Sequence, residues 1–176
     1  MDVHPKNFPS SGFCTIVHRA FPQKAGMSEH RVTIDWKRQT PDFGYDTYSR
    51  DHDWRFDSGT TLRASAAPAY LGSESCVDPE EAFVASVGSC HMLTFLAIAS
   101  KKRYVVDSYV DEAIGTLAQD SAGNLAITRI VLRPRVQFSG EKQPTSEELV
   151  KLHERAHHAC FIANSVKSEV VIEPAS

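Results

Sequence analysis

Residues 82–99 form an apolar run without a single formally charged side chain, and this run limits the fold more than any other feature of the chain. Its borders are those of a helix. Asp78-Pro79-Glu80-Glu81 supplies an N-cap, a proline at the first helical position and acids at the positive end of the helix dipole. Lys101, Lys102 and Arg103 place positive charge at the other end. The pattern predicts one helix from 79 to about 103. A helix apolar on all sides belongs either in a bilayer or at the centre of a domain. Ser86, Gly88, Ser89, Cys90, His91 and Thr94 interrupt the run with small and polar groups, and the chain has no second hydrophobic span. The prediction is therefore a central core helix and no membrane.

The rest of the chain supplies layers to cover that helix. Val32, Ile34 and Trp36 alternate with polar residues, and alternation resumes at Trp54, Phe56, Leu62, Ala64 and Ala66, so strands are expected between 31 and 67. A loop is expected over 68–77. Two alternating runs, Val110-Glu112-Ile114-Thr116 and 125–132, flank the turn-rich Asp120-Ser121-Ala122-Gly123-Asn124 and predict a hairpin. Thr145-Ser146-Glu147-Glu148 is a capping box opening a second helix, along which Leu149, Leu152, Ala156, Cys160 and Ala163 recur at helical spacing. A closing strand is expected over 166–172. The fold class is α+β, with one domain over 27–176. Residues 1–26, which contain three prolines and lack the uninterrupted apolar core of a signal peptide, read as a partly disordered extension, with Met27 as a candidate start.

A formal net charge of -3, with Lys and Arg scattered, argues against nucleic acid or an anionic membrane as partner. Cys14, Cys76, Cys90 and Cys160 are too few and too widely spaced for a secreted disulfide scaffold, and no CxxC pair suggests a zinc knuckle. Reduced thiols in the cytoplasm fit better. Cys14 and Cys76 read as incidental, Cys76 being an oxidisable loop residue. Taken alone, Cys90 is best explained as a packing residue, because free cysteine is among the most buried side chains and mid-helix placement denies it the field of a helix N-terminus.

Two segments change that balance. Residues 78–90, from Asp78-Pro79-Glu80 to Gly88-Ser89-Cys90, resemble the Pro-Glu-plus-ten-to-Cys signature of the OsmC/Ohr family. His158-Ala159-Cys160-Phe161-Ile162-Ala163-Asn164-Ser165-Val166 is similar to the end of that family's second-cysteine helix, and the resemblance spans roughly 30 to 173. It departs from better-known members at His91 and at Phe161-Ile162, which follow the two cysteines.

The resemblance implies an intertwined homodimer with antiparallel sheets wrapped around the long helices. It implies thiol-dependent reduction of organic hydroperoxides, with hydrogen peroxide as a further candidate substrate, in an oxidative-stress role. Cys90 would be the peroxidatic thiol, Cys160 the resolving thiol, Arg50 the catalytic arginine with Arg55 in reserve, and Glu80 the acid that orients it. No bound cofactor is expected; an external dithiol of lipoyl type or similar would reset the disulfide. On a straight helix Glu80 and Cys90 stand about 15 Å apart, so Glu80 either acts on the partner chain's site or folds back before the helix begins. Phe83, His91, Met92, Phe95 and Phe161 are candidates for an apolar substrate pocket, and core packing explains them equally well.

Two other readings stay open. His153-Glu154-Arg155-Ala156-His157 matches the H-E-x-x-H pattern of zinc hydrolases; the metzincin continuation is absent, but Cys160, seven residues after His153, could complete a metal face with both histidines. A non-catalytic protein binding an apolar ligand is the other.

Overall fold

The structure, a computed structural model, describes residues 27–174. The chain divides into two units, Met1–Arg31 and Val32–Ser176. Of the first, residues 27–31 are described and contain no helix or strand; the expected extension over 1–26, and Cys14 within it, lie outside the described residues.

The second unit opens with an antiparallel sheet of β1 (Val32–Asp35), β2 (His52–Phe56) and β3 (Thr61–Ala64), in that order. A short 3-10 turn, Pro68–Tyr70, interrupts the expected loop. Helix α1 runs from Pro79 to Lys101. The Asp78 carboxylate accepts from the Glu81 N–H at 2.7 Å, and the Glu81 side chain accepts from the Asp78 N–H at 3.3 Å, completing a capping box. The helix stops slightly earlier than its basic residues suggest. Arg103 adopts a positive φ of 64°, and the N–H groups of Arg103 and Tyr104 turn back to the carbonyls of Ser100 and Ala99 in a Schellman arrangement.

Strands β4 (Val105–Asp111), β5 (Ile114–Gln119), β6 (Leu125–Leu132) and β7 (Pro134–Ser139) follow, then α2 (Ser146–Ala159) and β8 (Glu169–Ile172). The expected hairpin forms between β5 and β6, where Gly123 takes a φ of 84° in the turn. Two features depart from the sequence expectation. The run Val110 to Thr116 is not one strand: it breaks after Asp111, whose carboxylate accepts the Arg133 N–H at 2.6 Å. The chain thereby changes sheets, with β4 pairing to β7 and β5 to β6. The closing strand begins at 169 rather than 166, and it pairs in parallel with β6, whereas the other strand pairs among the described residues are antiparallel.

Helix α1 serves two cores. Phe95 and Ala99 pack with Leu152 and Ala156 of α2 and with Tyr104, over Val106, Tyr109, Val136 and Phe138 of the β4–β7 sheet. One turn or two earlier, Val87 packs with Ile130 and Leu132 of β6, joined by Phe83, Val166 and Val170. Gly115 lets β5 pass close to the helix, since a Cβ there would stand 2.4 Å from a Val84 methyl. By length and composition α1 could cross a membrane. Instead it buries one face, Val87, Gly88, His91, Phe95 and Ala99, while Ser86, Ser89, Leu93 and Ala97 on the other face are exposed in the protomer.

Candidate active site

Cys160 does not lie on α2. The helix ends at Ala159 and Cys160 caps it in an extended conformation, with φ -76° and ψ 112°, while Ala163 belongs to a separate 3-10 turn, Ala163–Ser165. Helical spacing nonetheless pointed the right way. The Cys160 side chain is fully buried, and its sulfur accepts the Ala163 N–H at 3.4 Å. The turn after the helix therefore carries the thiol across to α1.

There it meets Cys90. Both cysteines are free thiols, Cys90 half-buried and Cys160 buried. Burial pushes the Cys160 thiol up from its ordinary pKa, and the neighbouring Cys90 side chain pushes it further. Two sulfurs seventy positions apart in sequence are thus brought together by the packing of α1 against α2 and the turn that follows it. Oxidation of the more accessible sulfur would present an electrophile to its buried neighbour.

The charged residues sit elsewhere. Arg50 donates to the carbonyls of Tyr48 at 2.8 Å and Tyr45 at 2.6 Å, and its guanidinium lies over the Tyr48 ring at 4.0 Å. It lines an open, largely apolar cleft of about 500 Å³ with Trp36, Phe43, Tyr48, His52 and Pro79. Pro79 is the first residue of α1, and Cys90 lies eleven residues further on, about 16 Å along the axis. Within one protomer, then, the arginine attends the start of α1 rather than Cys90. Glu80 lies in the first turn of the same continuous helix, beside a neighbouring recess with Asp78, Glu81 and Asp111, so its segment does not fold back. Among the described residues neither Arg50 nor Glu80 forms an ion pair. Arg55 is occupied on the exposed sheet surface, 2.7 Å from Asp35 and 3.9 Å from Asp53. Cys76 is half-buried and close enough to Arg63 to contribute to that residue's raised pKa, after Asp53 and Asp51.

The five candidate pocket residues do not line one cavity in the protomer. Phe95 is fully buried in the α1–α2 core, and Phe83 packs on the β6 side. Met92 borders a separate recess of about 220 Å³ with Ser89, Tyr109 and Asp111. Phe161, next to Cys160, is 82% exposed. The reason is helical geometry: His91 and Phe95 share the face buried against α2, while Met92 points away from Phe83 and Phe161 lies beyond the end of the second helix.

His91 is buried, and its Nε2 stands 3.1 Å from Nδ1 of His153. That contact draws the first histidine of the H-E-x-x-H pattern into the helix interface, while Glu154 lies exposed on the outer side of α2. Among the described residues no three His, Cys, Asp or Glu side chains converge on a point where a metal could sit. Burial lowers both imidazoles to a pKa of about 4, with His153 and His157 adding to the effect on His91. Sequence reasoning missed this pairing, as well as the aromatic cleft around Arg50. It missed too the buried Tyr109 hydroxyl and Asp111 Oδ2, which have no hydrogen-bond partner. The alternation of Ile34 and Trp36 was a signal for part of the cleft; the pairings across helices had none.

Comparison with known proteins follows the same outline. The family model described as OsmC-like protein matches residues 72–175, a span that holds Glu80 and both central cysteines but not Arg50. Among solved structures, an OsmC-like protein of unknown function from Vibrio cholerae is 51% identical, with a TM-score of 0.83 over 85% of this chain and 100% of the other. An organic hydroperoxide resistance protein from Elizabethkingia anophelis shares 16% identity and a TM-score of 0.62 over 86% of this chain and 96% of its own. The organic hydroperoxide resistance protein OhrB of Bacillus subtilis shares 19% identity and a TM-score of 0.59, over 84% and 98%. No curated protein matches the chain.

Proposed function

The chain belongs to the OsmC-like family, and from that membership we propose that it is a thiol-dependent peroxidase acting on organic hydroperoxides. The observation that carries this reading is the proximity of the Cys90 and Cys160 side chains where α1 packs on α2 and the turn after it. The Cys90 thiolate attacks the terminal oxygen of the hydroperoxide, the O–O bond breaks, and an alkoxide leaves and takes up a proton as the alcohol. Cys90 is then a sulfenic acid. The Cys160 sulfur attacks it, water departs, and the two cysteines form a disulfide. Burial shields Cys160 from solution and raises its pKa, so the half-buried Cys90 is the sulfur that meets the hydroperoxide first. An external dithiol, of lipoyl type or similar, then reduces the disulfide.

The first step needs a cation beside Cys90, to hold the thiolate and the charge developing on oxygen. Arg50 and Glu80 both attend the opening of α1, neither with an ionic partner among the described residues, and both lie far from their own Cys90. The exposed face of α1 at Ser86, Ser89, Leu93 and Ala97 suits close packing against a second copy. We therefore assign Arg50 and Glu80 to the partner's thiol in a homodimer, with the apolar cleft around Arg50 receiving the organic part of the substrate.

One equivalent of cumene hydroperoxide per protomer should remove two of the four thiols and yield a Cys90–Cys160 linked peptide on digestion. An unchanged thiol count sinks the proposal. Co-expression sharpens the second part: a dimer of one Cys90→Ser chain and one Arg50→Met chain should regain activity that each parent dimer lacks. If it stays inactive, Arg50 does not act across the interface.

An alternative, the binding of an apolar ligand without catalysis, draws on the same cleft. It leaves the adjoining thiols without a role and predicts that peroxide does not touch them.

A further inference from the structure

The seam between α1 and α2 holds two imidazoles that the proposed reaction does not use. The His91 and His153 rings lie 5.4 Å apart with planes 4° from parallel, joined by the 3.1 Å contact between Nε2 and Nδ1. His153 also stacks on Phe95 at 4.5 Å. The two histidines are 1% and 3% exposed.

Stability is a poor explanation for them. Among the described residues, His91 Nδ1 and His153 Nε2 are buried without a hydrogen-bond partner, and an unsatisfied buried polar atom is destabilising where an apolar side chain of similar volume is not. What an apolar pair does not provide is direction. Methyl and ring contacts tolerate sliding, whereas a buried N–H···N bond holds in one relative placement and so fixes the register of two helices.

The pair is located where register matters. His91 directly follows Cys90 on α1. His153 lies on the buried face of α2 with Leu152 and Ala156, and that face leads to Cys160 at the helix end. A slip of one residue along α2 would move Cys160 by about 1.5 Å and turn it by about 100°, enough to take its sulfur away from Cys90.

We propose that the His91–His153 hydrogen bond is a positioning element that holds Cys160 in register with Cys90 for disulfide closure. The inference rests on reading the two cysteines as a redox pair, and it extends that reading to two residues buried in the helix interface.

The test uses oxidised glutathione on the full chain, so that its outcome does not depend on peroxide chemistry. The Cys90 thiolate attacks one sulfur of the oxidised glutathione and releases a glutathione thiolate. Cys160 then attacks the Cys90 sulfur of the mixed disulfide and releases the second. Mass spectrometry of quenched samples follows both steps. His153→Leu keeps the volume and removes the bond; His153→Asn carries an amide where Nδ1 stands. Mixed-disulfide formation should keep its rate in both variants, while closure onto Cys160 should slow about tenfold or more in His153→Leu and recover most of that loss in His153→Asn. Should His153→Leu fail to fold, His91→Met serves instead, because its flexible side chain adapts to the space; the same slowing of closure is expected. Closure at the normal rate in a folded variant that lacks the bond overturns the proposal, as does equal slowing in Leu and Asn. If the unmodified protein closes with glutathione but ignores cumene hydroperoxide, the peroxidase reading fails and the positioning role survives.

Discussion

The α1–α2 seam and the β1–β3 sheet handle polar groups in opposite ways. In the seam, His91, His153 and Cys160 are all within a few per cent of complete burial, and their contacts close inside one protomer. At the sheet, Ile34 of β1 and Trp36, Phe43 and Tyr45 of the segment joining β1 to β2 are exposed around Arg50 of that segment, whose guanidinium finds carbonyls and two tyrosine rings but, among the described residues, no carboxylate. The difference teaches where each half of a reaction can be stored. Two thiols that must meet belong in a rigid interior, where register is held by close packing. On the proposed reading, a cation acting on a second chain's sulfur would stay on a surface left open until that chain arrives.

Four experiments break or sharpen this contrast. The largest effect is expected at the seam itself: Cys90→Ser should lower peroxide consumption by about 1000-fold or more, since an alcohol at neutral pH is a far poorer nucleophile than a thiolate. Cys76→Ser serves as the control and should change little. A comparable rate in Cys90→Ser would move the chemistry to another cysteine.

Next in size is the response of the seam to acid. His91 and His153 have folded-state pKa values of about 4, below the unfolded value of 6.5. The unfolded chain therefore binds protons first. Their contribution to stability is fully present above about pH 6.5, falls as the pH drops toward 4, and levels off below, with a loss on the order of a few kcal/mol for the pair. Urea midpoints between pH 7 and 4 measure it. In His91→Met or His153→Leu the slope should be shallower; an unchanged slope would place the acid-sensitive group elsewhere.

On the sheet, Arg50→Met should reduce kcat/KM for cumene hydroperoxide by about 100-fold, the usual scale for losing one group that stabilises developing charge. Arg55→Met, which removes only exposed ion pairs, should stay within about twofold. Reversal of those two results would exchange their roles. The smallest effect concerns Phe43, 62% exposed at the edge of the cleft. Phe43→Ala should change protomer stability by less than about 0.5 kcal/mol yet raise KM for cumene hydroperoxide more than for hydrogen peroxide. Equal effects on both substrates would mean that the cleft does not read the organic group.

Much of the frame was legible before any coordinates. Both helix starts follow from capping boxes written as Asp78-Pro79-Glu80-Glu81 and Thr145-Ser146-Glu147-Glu148, because a cap is a contact between residues three apart and needs no tertiary partner. The β5–β6 hairpin was equally local, its turn set by Gly123. Where the expectation failed, a distant residue intervened. The break between β4 and β5 depends on the Arg133 N–H reaching the Asp111 carboxylate, and the parallel docking of β8 on β6 joins segments some forty positions apart. At the site, the two cysteines were singled out through resemblance, but their contact could not be read from spacing, since Cys160 leaves its helix before the turn that carries it to α1.

The sequence by itself determined the elements: apolar periodicity, caps and turn residues act over a few positions and are written in order along the chain. Only the tertiary structure decided the partnerships, Cys90 with Cys160, His91 with His153, and Arg50 with aromatic rings instead of a carboxylate. Such pairings depend on how α1, α2 and the three sheets settle together, and the free energy that selects one packing over another is spread across many contacts, none of which is encoded at any single position.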